Sequence, residues 1–100
     1  MINNKIYQLY KKLMLTFGED NQIIVAIEEL AELQKELTKW IRGKGHICNI
    51  AEEIADVQIM LAQLKFMFAC DKEVESIMLS KLQRTETLLE VENDKRNEQT

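Results

Sequence analysis

Apolar side chains recur at intervals of three and four residues through most of the chain, with short polar or glycine-containing breaks between the stretches. Residues at this spacing share one face of an α-helix, so each stretch predicts an amphipathic helix. The first ends at Gly18, and the second ends at Gly43 and Gly45, which open the one clear loop. The predicted helices cover residues 2–17, about 22–41, about 49–69 and 71–92.

Polar residues mark where three of these helices begin. Glu19, Asp20 and Asn21 are candidate N-caps of the second helix, Asn49 with Glu52 resembles a capping box, and Asp71 is a candidate N-cap of the fourth helix. The last residues, 93–100, contain no apolar side chain. They are predicted to form a frayed polar tail after a single domain of residues 1–92.

The third helix has apolar residues on nearly every side, whereas the second has one apolar stripe that predicts its buried face. A helix that is apolar all round is expected to be buried all round, and three other helices of a short chain scarcely cover it. We therefore expect a homo-oligomer, a homodimer or homotetramer, with the third helix at its centre. The stripe of the second helix is Ile23, Ile27, Leu30, Leu33, Leu37 and Ile41. The third helix carries Ile50, Ile54, Val57, Leu61, Leu64 and Phe68 on one side, and Ala55, Ile59, Ala62 and Phe66 on the other.

Composition narrows the fold and the classes of partner. The 100 residues include three glycines and no proline, too few for the tight turns of a sheet, so the prediction is an all-α, four-helix bundle-like fold with antiparallel helices. The net charge of −4 argues against a nucleic-acid partner. The sequence has no apolar run long enough to suggest a membrane span or a signal peptide. Cys48 and Cys70 lack the spacing of a zinc site. The expected location is therefore the cytoplasm.

Acidic residues form the strongest candidate chemistry. Glu29 and Glu32 lie three apart in the second helix, and Glu53 and Asp56 lie three apart in the third, so each pair shares one face of its helix. Two such pairs on facing helices would make a cluster of four carboxylates. Oxygen ligands alone select Mg²⁺, Mn²⁺ or Ca²⁺. A di-iron site is disfavoured because it needs Glu-x-x-His on two helices and the one histidine, His46, lies in the loop.

Each pair also has a structural explanation. The acidic side of the second helix, from Glu28 to Glu36, has the composition of an ordinary solvated face. Glu53 falls on the apolar arc of the third helix, where an unpaired carboxylate is costly, so the alternative for Glu53 is an ion pair with a buried Lys or Arg. Lys81 and Arg84 of the fourth helix are candidate ligands for phosphate oxygens, although Lys81 has the alternative of reaching from an apolar edge to water.

These residues resemble the MazG-like, all-α nucleoside triphosphate pyrophosphohydrolases. The family signature is E-E-x-x-E, a spacer, then E-x-x-D, which here is Glu28-Glu29-Leu30-Ala31-Glu32, twenty residues, and Glu53-Ile54-Ala55-Asp56. The flanking segments AIEELAELQKEL and NIAEEIADVQIMLAQL are similar to those of compact, phage-type members, as is the run from Lys39 to Gly43. The resemblance covers residues 22–90.

The resemblance implies Mg²⁺-dependent hydrolysis of a ribo- or deoxyribonucleoside triphosphate to the monophosphate and pyrophosphate, of the kind that cleans nucleotide pools. It implies that Glu29, Glu32, Glu53 and Asp56 hold the metal ions, with Mn²⁺ as a substitute for Mg²⁺. Lys81 would bind phosphate, with Arg84 as its partner. Which carboxylate takes the proton of the attacking water is left open by the spacing.

Different residues are candidates for binding the base and the phosphates of a nucleotide. Trp40 is the candidate for stacking on the base, with burial in the core as its alternative. Many family members have a Lys where this chain has Ile50, and an Asn where it has Thr85. The competing hypothesis is a catalytically idle helical module that mediates an interaction or senses a nucleotide or metal.

Overall fold

The chain forms four α-helices in a computed structural model that describes the backbone of residues 2–99 and the side chains of residues 4–99. The helices are α1 (Ile2–Phe17), α2 (Glu19–Ile41), α3 (Ile47–Met67) and α4 (Asp71–Gln99). The described residues contain no β-strand, so the all-α prediction is confirmed. The side chain of Ile2, assigned above to the first helix, lies outside the described residues, as does Thr100. Across the described part of the chain, no helix is long and apolar enough to cross a membrane.

The helices divide into two compact units, one made of α1, α2 and α3 and the other made of α4. In the first unit α2 packs along α3, and α1 packs against both. Gln22 of α2 contacts Gln63 of α3, and Glu29 contacts Asp56. The residue nearer the start of α2 contacts the residue nearer the end of α3, so these two helices are antiparallel.

Aromatic side chains join α1 to α3. The ring of Tyr7 stacks on Phe66 with 5.2 Å between ring centroids, and the ring of Tyr10 lies 6.1 Å from Phe66. Tyr10 is buried and Tyr7 is part-exposed. This aromatic group fixes α1 on one side of the α2–α3 pair.

The packed face of α2 differs from the face that the sequence predicts. Its buried residues are Gln22, Ala26 and Glu36. At 100° per residue, they lie roughly a quarter turn from the apolar stripe. Most of that stripe is exposed instead: Ile27, Leu30, Leu37 and Ile41. The stripe is therefore not the face of α2 that packs on α3, because periodicity identifies an apolar face but not the surface that covers it.

Helix α3 is apolar on three sides, and only two of them are covered in this unit. Val57, Met60 and Gln63 are buried against α2, while Phe66 faces α1. A third row is exposed at intervals of seven residues: Ile47, Ile54, Leu61 and Phe68. Helical geometry puts this row and the exposed stripe of α2 on the same side of the pair, opposite α1. We call this surface the apolar face.

The loop between α2 and α3 is tight. Gly43 adopts a φ of 76°, in the left-handed region. A Cβ at Gly45 would lie 2.7 Å from the Cα of Trp40, so only glycine fits there without a shift of the backbone. Helix α3 then begins at Ile47, two residues before the predicted capping box. The extended His46 is its N-cap, with a carbonyl that accepts hydrogen bonds from the N–H groups of Asn49 and Ile50, so the capping-box prediction is wrong.

Helix α4 is longer than the sequence predicts. It continues through residues 93–99, where a frayed tail was expected, because this segment has no glycine or proline and Glu92 pairs with Lys95 at 3.8 Å. Asp71 is its first helical residue rather than its cap, since the N–H of Val74 donates to the carbonyl of Cys70. None of the described residues of α4 is buried.

Candidate metal centre

Three of the four predicted carboxylates meet where α2 packs on α3. Glu29 projects from α2, while Glu53 and Asp56 project from successive turns of α3. One carboxylate oxygen from each lies within 4.8 Å of the others. All three side chains are half-buried. The E-x-x-D spacing supplies the two α3 groups on one face, and the antiparallel packing brings Glu29 to them.

The electrostatics of this cluster are unfavourable without a cation. Burial raises the pKa of Glu53 above its ordinary value of 4.5, and the negative charges of Asp56, Glu29 and other neighbours raise it further. Burial also raises the pKa of Glu29, to which the charge of Asp56 and its hydrogen bond contribute. The Oε2 atom of Glu53 is buried and has no hydrogen-bond partner. Such an orphaned acceptor is costly unless a hydrogen-bond donor or a cation lies against it.

No protein cation fills that role within the described part of the chain. The charges that raise the pKa of Glu53 come from Asp56, Glu29, Glu32 and Glu52, all of them acidic. The ion-pair alternative for Glu53 therefore gains no support. Oxygen ligands at this spacing, with excess negative charge, fit a hard divalent cation.

Glu32, the fourth predicted ligand, lies outside the group of three. Its side chain is exposed, but its negative charge raises the pKa of both Glu29 and Glu53, so it is a near neighbour. Glu32 lies on the solvent side of the cluster, where a side chain of this length has freedom to change rotamer.

The candidate substrate-binding residues lie on two different units. Trp40 is at the C-terminal end of α2 and 51% exposed, so the alternative of a core tryptophan is not met among the described residues. Lys81 and Arg84 are exposed on α4, one turn apart. Their roles stay predictions.

Three buried polar residues in the α2–α3 interface are not predicted by the sequence pattern. Gln63 is fully buried and donates a 2.8 Å hydrogen bond to Gln22, which is also buried. Glu36 is buried with its Oε1 atom 3.4 Å from the Nζ of Lys39, and its Oε2 atom has no partner. Their spacing could have indicated this burial, because Gln22 and Glu36 each lie seven residues from Glu29 and therefore share its face of the helix.

The raised pKa values predict how the stability of the metal-free protein depends on pH. The folded state holds these protons more tightly than the unfolded state, so the stabilisation is complete below pH 4.5 and is lost as the pH rises through the raised pKa values. We expect the melting temperature in EDTA to fall between pH 4.5 and 8, followed by circular dichroism. A Glu29→Gln/Glu53→Gln variant should show a shallower fall, and parallel curves for the two proteins would contradict this prediction.

Comparisons of this chain with models of protein families, with curated proteins and with solved structures give no match.

Proposed function

We propose that this protein is a Mg²⁺-dependent nucleoside triphosphate pyrophosphohydrolase that works as a homo-oligomer. The observation that carries the proposal is the cluster of Glu29, Glu53 and Asp56, three carboxylates within 4.8 Å that have no protein cation among them in the described residues. The order and spacing of the acidic motifs, E-E-x-x-E followed by E-x-x-D, support the same activity.

The donor set fits a divalent cation. It is made of oxygen atoms alone, and the orphaned Oε2 of Glu53 is a buried acceptor that a cation would satisfy. Glu29, Glu53 and Asp56 would hold the Mg²⁺ ion, which would neutralise charge on the triphosphate and lower the pKa of the attacking water. Mn²⁺ has the same preference for oxygen and is expected to substitute for it.

The rest of the reaction depends on what the chain's own carboxylates do to the substrate and to the attacking water. Glu29, Glu53 and Asp56 act on the triphosphate through the cation that they would hold, because bare carboxylates repel phosphate groups. A carboxylate of the acidic motifs accepts the proton that the water loses as the new P–O bond forms. The anhydride between the α- and β-phosphates breaks, and pyrophosphate leaves.

The apolar face supports the oligomeric part of the proposal. Ile54 and Leu61 of α3, with Leu30 and Leu37 of α2, are exposed side by side on the surface opposite α1. Monomeric proteins rarely leave a continuous apolar surface of several large side chains in water. The cover we propose is a second copy of the chain, which completes a bundle of antiparallel helices with α3 at its centre.

The activity is tested by measuring pyrophosphate release from the eight common ribo- and deoxyribonucleoside triphosphates, with Mg²⁺, with Mn²⁺ and with EDTA. We expect release from at least one triphosphate with either cation and none with EDTA. If no triphosphate is cleaved with either cation, the enzyme proposal fails. The apolar face would then favour the competing function, a helical interaction module that retains the carboxylates to sense a metal or nucleotide.

A further inference from the structure

The most deeply buried polar contact in the described residues lies beside the acidic cluster. Gln63 of α3 is 0% exposed, and its Nε2 donates to the Oε1 of Gln22, which is 6% exposed. The two amides face each other across the α2–α3 interface at 2.8 Å. The Oε1 atom of Gln63 is buried and unpartnered, so the arrangement is not the most stable way to fill this space.

The glutamine pair and the carboxylates occupy equivalent places one heptad apart. Gln22 precedes Glu29 by seven residues, and Gln63 follows Asp56 by seven residues. Because α2 and α3 are antiparallel, the same alignment that joins the two amides brings Glu29 to Asp56. Seven residues make two turns of a helix, so both contacts lie on the same seam.

The other residues of this seam are poor at specifying an alignment. Ala26, Val57 and Met60 are its buried apolar members. Apolar contact has no direction, so these residues alone do not fix the position of one helix along the other. A slip of one turn, however, leaves both amides buried without partners, which is the kind of penalty by which one polar core residue fixes register in coiled coils.

We infer that the Gln22–Gln63 hydrogen bond is a positioning device, which fixes the register in which the carboxylates of α2 and α3 meet. Neither glutamine belongs to the cluster itself, so the pair acts through Glu29 and Asp56. Its consequence for metal affinity rests on the proposed function, whereas its effect on register does not.

Register is measured by pulsed EPR between nitroxides at Lys35→Cys and Gln58→Cys, in full-length protein with Cys48→Ser and Cys70→Ser. Both labelled residues are exposed and lie outside the proposed metal site. Labelled chains are diluted with unlabelled chains so that only distances within one chain contribute. The unsubstituted pair should give one narrow distance.

The test variant is Gln22→Met/Gln63→Met, which keeps the side-chain volume but removes the hydrogen bond. We expect a second inter-nitroxide distance, from molecules in which α3 is shifted along α2 by one helical turn of about 5 Å, and Mn²⁺ binding weaker by about 10-fold or more. Met60→Leu, a volume-conserving change on the same seam, should keep the narrow distance and the Mn²⁺ affinity.

Two single variants keep the inference testable if the double variant does not fold. Gln22→Glu retains an acceptor for the Gln63 amide and should keep the narrow distance, whereas Gln22→Met should broaden it. An unchanged narrow distance in the variants without the hydrogen bond would overturn the inference. A displaced register with unchanged Mn²⁺ affinity would overturn its link to the metal site. If the unsubstituted protein binds no Mn²⁺ but loses its register in the variant, the proposed metal site fails and the positioning role stands.

Discussion

Glu53→Gln is expected to abolish pyrophosphate release while the metal-free protein stays folded and melts at a higher temperature. The substitution removes one ligand charge from a cluster whose members raise one another's pKa. Loss of a partner outside the coordination sphere costs about 10–100-fold in metal affinity or activity, so loss of a ligand should cost more than about 100-fold. The melting temperature rises in EDTA because three carboxylates repel one another less when one of them is neutral.

Two measurements check this expectation. Pyrophosphate release is assayed with saturating Mg²⁺, and thermal melts are recorded in EDTA and in Mg²⁺, which should stabilise the unsubstituted protein more than the variant. Glu52→Gln is the matched control, since it removes the same charge from an exposed neighbour that is not in the cluster. It should keep most of the activity. A Glu53→Gln protein that melts at a lower temperature in EDTA would instead indicate a structural ion pair, and undiminished turnover would remove Glu53 from the metal site.

The acidic centre was within reach of sequence reasoning because its parts are local. The spacing of Glu53 and Asp56 fixes their common face on any helix, and Glu53 stood out as a carboxylate on an apolar arc. Glu29 meets Glu53 and Asp56 only because α2 pairs with α3. The sequence indicated that pairing through the order of the two helices along the chain and the short loop between them. Glu32 lies outside the group of three, since an i, i+3 relation places two residues on neighbouring turns but does not turn both side chains towards the same partner helix. Its role as a ligand stays a prediction.

The packed face of α2 was not predictable by the same reasoning. Hydrophobic periodicity assumes that the most apolar face of a helix is the face that its own chain buries. In α2 the face against α3 carries Gln22 and Glu36, while Leu30 and Leu37 are exposed. A site that needs carboxylates between two helices puts polar residues in the interface within the chain. The apolar residues of α2 then lie on a different face of the helix. The sequence pattern of a single chain does not tell such a face from one that packs in the chain's own core.

Helix ends were predicted to within three residues except for the end of α4, which lies seven residues later than predicted, and the errors have local causes. The capping signal at Asn49 was overridden by the extended backbone of His46, which opens α3 two residues earlier. The end of α3 is also unusual, because Ala69 adopts a φ of 51° where glycine is the usual residue. The polar composition of residues 93–99 suggested fraying, but it contains no residue that breaks a helix, and α4 continues through it.

Leu61→Glu is expected to convert the protein from an oligomer to a monomer of 11.7 kDa. Leu61 lies in the heptad row of α3, between Ile54 and Phe68, at the middle of the apolar face. In an interface with twofold symmetry each substitution occurs twice, so two carboxylates would be buried near each other without a cation. In the isolated chain Leu61 is already 45% exposed, so the helical content of the monomer should change little.

The mass is measured by light scattering coupled to size exclusion at micromolar concentration, and helical content is followed by circular dichroism. Ala55→Glu is the matched control because it adds the same charge to an exposed position of α3 away from the apolar face, and it should leave the mass unchanged. An unsubstituted protein that is already a monomer would contradict the oligomeric proposal. A Leu61→Glu variant that keeps the oligomeric mass would place the interface elsewhere, because a row of large apolar side chains does not accept a pair of buried like charges without a compensating cation.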